Sequence, residues 1–484
     1  MKLKFSTKLE IFFLMFILLA GFLVRLYRFN NPIADWHSWR QADTSAVSRS
    51  FVQTGFDILH PRFEDLSNVP SGLDNPNGYR FVEFPIYNIL QAGFFKTFGL
   101  FTLEEWGRLV TIFASLLSGV FLYLIIKKRF GFPAGILSSL FFLLIPYNIY
   151  YSRTILPDPS MVTAILGGIY FFDKWLEEKK LTVIDLWFFL ALSLTLGAFL
   201  LKPYALFFTL PMIYSAYEKY GFSFIKKWQF YVFLVLSVIP LALWRIWMTN
   251  FPAGIPASSW LFNGNGIRFR PAFFRWIVYE RFTKLILGYF GVIIFFSAFF
   301  KKYKREDLFF VLSFLLSSII YISVIATGNV QHDYYQILII PSISIILSLG
   351  TIFIFERLEK IYKYLGVGVV AVLMFLGFYF AWQQIKDYFN INNPSIIAAG
   401  AAVDKLTPKN AKVIANYNGD TSFLYQTKRN GWASFEKGLP EMIQMGASYL
   451  ILVNPTQVDL GLGQTYKIIA KTNQYVIFDL KQKP

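Results

Sequence analysis

The feature that most constrains this chain is a recurring one: apolar stretches close to twenty residues long, separated by short basic runs. The first is Ile11 to Leu26. Others run roughly over 108–126, 132–151, 156–173, 183–200, 203–217, 229–248, 283–300, 308–327, 335–355 and 364–382. A helix needs about 20 apolar residues to cross a bilayer, and inside lipid a helix satisfies all of its own backbone groups. The pattern therefore predicts a polytopic α-helical membrane protein with about 11 transmembrane helices. If these alternate in direction, the runs at Lys2/Lys4/Lys8, Lys127-Lys128-Arg129, Lys179-Lys180, Lys226-Lys227, Lys301–Arg305 and Arg357 to Lys363 fall on one side. The positive-inside rule makes that side cytoplasmic, with the N-terminus. Met1 to Lys8 resembles the start of a signal peptide, but no small-residue cleavage site precedes Arg25 and Arg28, so the first helix is read as uncleaved.

Composition narrows the function. The chain is 55% hydrophobic and 15% charged, outside the soluble range. Its net charge of +17 sits in topology-setting runs, which argues against a nucleic-acid partner. Without cysteine, disulfides and thiolate metal sites are excluded, and three histidines make a His-rich metal centre a poor fit. Three segments are then expected outside: Arg28 to about Arg108, Thr249 to about Arg281, and everything after about Gln383. Within the first, Phe84–Phe101 reads as an interfacial helix. From about Asn390, short β-type runs at Val413–Ala415, Tyr449–Val453 and Val476–Leu480 alternate with a helical piece at Leu439–Met445. The expected division is a transmembrane domain over 1–388, its first outer loop about 28–107, and a small C-terminal α/β extracytoplasmic domain over 389–484.

The charged residues that remain gather at expected outer helix ends. Asp35-Trp-His37-Ser-Trp-Arg40-Gln-Ala-Asp43 follows the first span, and a helix after Trp36 puts Arg40, Asp43 and Val47 on one face. A carboxylate there can act as a general base; the plain alternative is a surface network on a capped helix. In Arg153-Thr-Ile-Leu-Pro-Asp158-Pro, Asp158 reads as a helix N-cap with Pro159 at the first helical position, a use compatible with a role at a site. Lys202 stands alone in a long apolar stretch, where it either snorkels or holds an anion. His332-Asp333-Tyr334-Tyr335 can hydrogen-bond a phosphate or a sugar, or simply belong to an aromatic belt. Glu83, in Arg80-Phe-Val-Glu83-Phe-Pro85, is a third candidate acid or a first-turn charge. His60 reads as an ordinary loop residue. Arg268, Arg270 and Arg275 are phosphate ligands or solvated loop charges.

Taken in order, these features resemble the GT-C superfamily of lipid-phosphosugar-dependent glycosyltransferases. The resemblance rests on the acid-bearing first loop, Glu83-Phe-Pro85 leading to Phe98-Gly99, Arg108 opening the next helix, the Arg153…Asp158 turn, Lys202-Pro203, and His332 to Tyr335. It is strongest with the protein O-mannosyltransferase and aminoarabinose-transferase (ArnT-like) branch and covers roughly residues 10–380. That branch usually carries an Asp-Glu pair early in the first loop. With Arg49 aligned to the family's arginine, Arg40-Gln41 occupies that place here, and the acid is Asp43, with Asp35 second. The resemblance implies an inverting transferase moving a sugar from a polyprenyl-phosphate donor to a lipid, glycan or protein acceptor at the outer face of a cell inner or plasma membrane. It implies Asp43, Asp35 and Asp158 as catalytic acids. His37, Arg40, Glu83, Arg153, Lys202, His332, Asp333, Tyr334 and Tyr335 are implied at the substrates. No cofactor is expected, although the acids are of the kind that can bind a hard cation. A transporter or flippase, or a polymerase-ligase of lipid-linked saccharides, is the alternative; a transporter would show paired charges deep in helices and pseudo-symmetric halves.

Overall fold

The computed structural model describes residues 6–484, so Lys2 and Lys4 of the first basic run lie outside the described residues. The chain forms two compact units. One comprises 6–27, 109–243 and 258–387; the other comprises 28–108, 244–257 and 388–484.

The first unit is helical. Each of the eleven apolar stretches contains helix, beginning with Thr7–Arg25 and ending with Leu365–Ile385. Among the described residues, six helices are by themselves long and apolar enough to cross a membrane. A bent pair, Pro271–Ile286 and Gly291–Phe300, meeting at 109°, makes a seventh if counted as one span. The protein is thus a multi-pass membrane protein. Of the other stretches, 156–173 lies within one unbroken 20-residue helix, Asp158–Glu177, and the rest are helical but short or broken. Pro146 interrupts the third after Phe132–Leu144. Lys202, in an extended conformation, separates Leu186–Leu201 from the 3-10 turn Pro203–Thr209 and the helix Leu210–Tyr220. The 109° bend has a local cause. Gly288 has φ +52°, and a Cβ there would lie 1.9 Å from the carbonyl oxygen of Gly377, so only glycine fits both the turn and the close approach. Arg25, at the end of the first helix, is fully buried. It donates to Ser152 Oγ at 2.7 Å and to the carbonyls of Gly21 and Leu143 at 2.8 and 2.9 Å, which satisfies a charge that would otherwise be costly there.

The second unit is built on a five-stranded sheet in the order β2-β1-β3-β5-β4, with β1 Lys412–Ala415, β2 Gly431–Trp432, β3 Ala447–Val453, β4 Lys467–Lys471 and β5 Tyr475–Asp479. β1 runs parallel to β2 and β3, and β5 is antiparallel to β3 and β4. Side chains alternate faces along a strand. Val413, Ala415, Ile451 and Ile477 therefore join the helix Pro394–Leu406 in one core, and Ile414, Leu450, Val476 and Phe478 join Met442 in the other. The first loop completes both: Ala34 is packed in the first core and Leu66 in the second. Asp65 pairs in parallel with Gly431, Leu66 N–H donates to the Gly431 carbonyl, and Gly431 N–H donates to that of Glu64. The first loop thus covers the exposed edge of β2, an edge that would otherwise invite pairing with another chain. The loop and the C-terminal segment therefore fold as one body, where the sequence suggested a loop belonging to the membrane domain.

Candidate functional site

In the loop-and-sheet unit, the expected helix after Trp36 is Ser38–Thr54. It starts after His37, held at φ +53°, and stops at Gly55, whose φ of +99° ends the helix where most residues would be strained. Most of this polar helix is buried, so its side chains need partners within the unit. Arg40 Nη2 donates to Glu83 Oε1 at 2.5 Å. Glu83 precedes the helix Ile86–Phe98 and its cap Pro85, so it is an ion-pair partner and not a first-turn charge. Asp35 Oδ1 accepts from Gln41 Nε2 at 2.7 Å, while its backbone carbonyl accepts from Asn392 Nδ2 at 3.0 Å. Trp36 stacks on Tyr388 with ring centres 4.9 Å apart and meets His37 edge-on.

Asp43 is 4% exposed and is gripped from two sides. Its Oδ2 accepts from Arg80 Nη2, and its Oδ1 accepts from Thr421 Oγ1 at 2.6 Å. Arg80 lies over the Phe63 ring, 5.0 Å from its centre. One turn and a half along the helix, Arg49 donates to Glu64 at 2.7 Å, to Glu104 at 3.2 Å and to the carbonyl of Tyr425, with its guanidinium 3.6 Å above the Tyr425 ring. Burial alone would lower the Arg49 guanidinium, but Glu64, Tyr425 and Glu104 carry it above its ordinary value. Burial raises the carboxyl of Glu64 despite Arg49. It also pushes Asp65 up to about 6, against hydrogen bonds from Ser67 and with help from the negative charge of Asp43. Asp420 is raised by burial too.

The helical unit holds a second group. Asp158 is the first residue of the helix Asp158–Glu177, and Pro157 precedes it as cap. The side chain makes no capping bond, which corrects the expected N-cap: the carboxylate instead accepts from Lys202 Nζ at 2.6 Å. Asp158 is fully buried, and its Oδ2 has no hydrogen-bond partner among the described residues. The rings of Tyr204, Tyr334 and Tyr335 surround Lys202 Nζ at 6.0, 5.7 and 5.5 Å. Their negative faces favour a cation there. His332 stacks against Tyr334 and Tyr335, ring centres 5.6 and 6.2 Å away. Asp333 is anchored by Tyr151 and faces Arg281 at 3.7 Å. Arg153 is buried, donates to the Tyr27 carbonyl at 3.3 Å and lies 5.6 Å from the Tyr150 ring centre.

The structure therefore joins Arg40 to Glu83 in one unit, and Lys202 to Asp158, Tyr334 and Tyr335 in the other. The two partners of Asp43, Arg80 and Thr421, differ in how far the sequence points to them. Arg80 opens a motif that the sequence flagged, and the surplus of acids in the first loop was a signal that a cation must face them. Thr421 lies 378 positions from Asp43 and carried no signal. His60 bonds Asp57 at 3.0 Å beside Trp247 and Phe251, as a packed loop residue. Among the described residues, no group of three or more His, Asp or Glu side chains is placed to share a metal ion.

Residues 82–247 match the family model described as dolichyl-phosphate-mannose-protein mannosyltransferase. Among solved structures, ArnT from Cupriavidus metallidurans bound to undecaprenyl phosphate is similar over 98% of both chains, at 13% identity and a TM-score of 0.66. Its apo state is similar over 96% of this chain and 97% of that one, at 13% identity and 0.64. The apo oligosaccharyltransferase of Archaeoglobus fulgidus is similar over 91% of this chain and 69% of its own, at 12% identity and 0.55. Comparison with curated proteins gives no match. The chain therefore has the fold seen in ArnT, and about a third of it matches the mannosyltransferase family model.

Proposed function

We propose that this protein is an inverting glycosyltransferase that moves a sugar from a polyprenyl-phosphate donor to a lipid, glycan or protein acceptor. The observation that carries the reading is the two-sided grip on Asp43. A base must be oriented as well as available, and among the first-loop acids Asp43 has a guanidinium on one oxygen and a hydroxyl on the other. Asp35, whose oxygen accepts from a neutral amide, is the second candidate. In the step proposed, Asp43 takes the proton of the acceptor hydroxyl or amine as that atom bonds to the anomeric carbon. The bond from that carbon to the phosphate oxygen breaks, and polyprenyl phosphate leaves with the electron pair. Inversion follows from attack opposite the leaving group. Lys202 and Arg153 are assigned to the developing phosphate charge, His332 and Tyr335 to hydrogen bonds with it, and Asp158 to orienting a sugar or acceptor hydroxyl. No metal takes part in this scheme, so turnover is expected to survive chelation by EDTA. The basic runs support a cytoplasmic N-terminus in an inner or plasma membrane, with the chemistry on the opposite face.

The test is release of polyprenyl phosphate from polyprenyl-phosphate sugars by purified protein. Asp43→Asn is expected to cost roughly 10²–10⁴-fold in turnover with donor binding kept. Loss in Asp35→Asn alone would move the base. Donor binding without turnover in wild type, even with cell-extract acceptors, would favour a transporter of lipid-linked saccharides.

A further inference from the structure

The C-terminal segment has no part in the step above, yet one of its side chains reaches the acid at its centre. Thr421 opens the helix Thr421–Thr427, and its Oγ1 lies 2.6 Å from Asp43 Oδ1 and 3.2 Å from the Trp39 carbonyl. A hydroxyl has one proton to give. The shorter contact, to a charged acceptor, is the stronger bond.

The helix that carries Thr421 is fixed in place. Asp420 caps it by accepting from Ser422 N–H at 2.8 Å, and Phe423 and Leu424 are buried in the sheet core. Tyr425 hydroxyl bonds Ser45 Oγ at 2.9 Å, Arg49 binds the Tyr425 carbonyl, and Gln426 donates to the Ile33 carbonyl. The Thr421 hydroxyl is therefore aimed by an element bonded at several points to the helix that carries Asp43.

We infer that Thr421 is a positioning residue, through which the C-terminal domain sets the orientation of the Asp43 carboxylate. This rests on Asp43 being the base. Arg80 holds Oδ2 and Thr421 holds Oδ1, so rotation of the carboxylate about its own axis is blocked at both ends. With the hydroxyl removed, Arg80 becomes a single pivot. The activity of the first loop then depends on a domain far away in sequence, and loosening that domain would reach the chemistry through one hydrogen bond.

Thr421→Val keeps the shape and removes the hydroxyl; Thr421→Ser restores it. The charged groups around Asp43 include Arg80, Glu64, Asp65 and Asp420, and none is altered in either variant. The valine variant is expected to lose roughly tenfold in kcat, with KM for the donor lipid within about twofold. A loss confined to kcat is what a group that orients the base, and does not bind the donor, should give. Serine should recover kcat. A valine variant with the wild-type rate overturns the inference while Asp43→Asn remains inactive. So does a loss that falls on KM as much as on kcat, or that serine does not rescue, which marks a structural role. Turnover that survives Asp43→Asn overturns the base assignment and this inference with it.

Discussion

Asp43 and Asp158 are both buried acids beside a cation, one in each unit, and they are held in different ways. Asp43 meets a planar guanidinium that rests on the Phe63 ring, and its other oxygen takes a hydroxyl. Asp158 meets an ammonium on one oxygen only, inside a ring of tyrosines, and its second oxygen has no hydrogen-bond partner among the described residues. Arginine offers its N–H bonds in fixed directions from a planar group; lysine is a compact charge on a flexible stem. The first arrangement suits a group whose direction matters. The second suits a charge that can be shared with an incoming phosphate, next to a bare oxygen that a sugar hydroxyl can satisfy. Under the proposed function, the two pairs divide the work between proton removal and leaving-group charge.

The most severe way to break this comparison is to remove Lys202. Lys202→Met leaves the Asp158 carboxylate buried without its cation, which typically costs about 3–5 kcal/mol. Thermal unfolding of the full chain in detergent should show that loss, and Asp158→Asn added to it should restore most of the stability while leaving turnover low. A small effect of Lys202→Met alone would mean that the carboxylate readily finds water, and the pair would then be no more than a surface contact.

A second test probes how acid-rich the surroundings of Asp43 are. Asp65 is raised to about 6 from 3.8, chiefly by burial. A carboxyl raised on folding binds its proton more tightly in the folded state. Its contribution to stability is therefore complete below about pH 4 and is lost as pH rises through about 6, a change of about 3 kcal/mol. Asp65→Asn should flatten this window and raise stability near neutrality. Asp43→Asn should narrow it, because the Asp43 charge helps to raise Asp65.

The helices were legible because the bilayer imposes a length and an apolar composition that show in any twenty-residue window. The breaks were less so: Lys202-Pro203 was visible as a charge and a proline, whereas the bend at Gly288 depends on a carbonyl contributed by Gly377. In the sheet, β1, β3 and β5 stood out as apolar runs. β2 has two residues and β4 is largely exposed, so neither leaves a pattern of its own. The acids of the site were legible by type, since a chain this poor in charge must use each one. Their partners were not. Arg80 is 37 positions from Asp43 and Thr421 is 378, and no local period encodes such pairings. The N-cap expected at Asp158 failed for a related reason: a lysine 44 positions away offers its carboxylate a full charge, and a backbone N–H offers only a partial one.

The gentlest test keeps the charge on Asp43 and changes only its shape. Arg80→Lys retains a cation but gives up the guanidinium over the Phe63 ring and the fixed direction of the N–H bonds. If orientation is what Arg80 supplies, kcat should fall about tenfold, equivalent to about 1.4 kcal/mol, with donor KM and melting temperature little changed. Lys202→Arg is the mirror experiment, since a planar group must enter a space shaped for a compact one, between Asp158 and three tyrosine rings. It should raise donor KM more than it lowers kcat. Were both exchanges to act on kcat alone, the two pairs would be doing the same job, and the division of labour read from their geometry would be wrong.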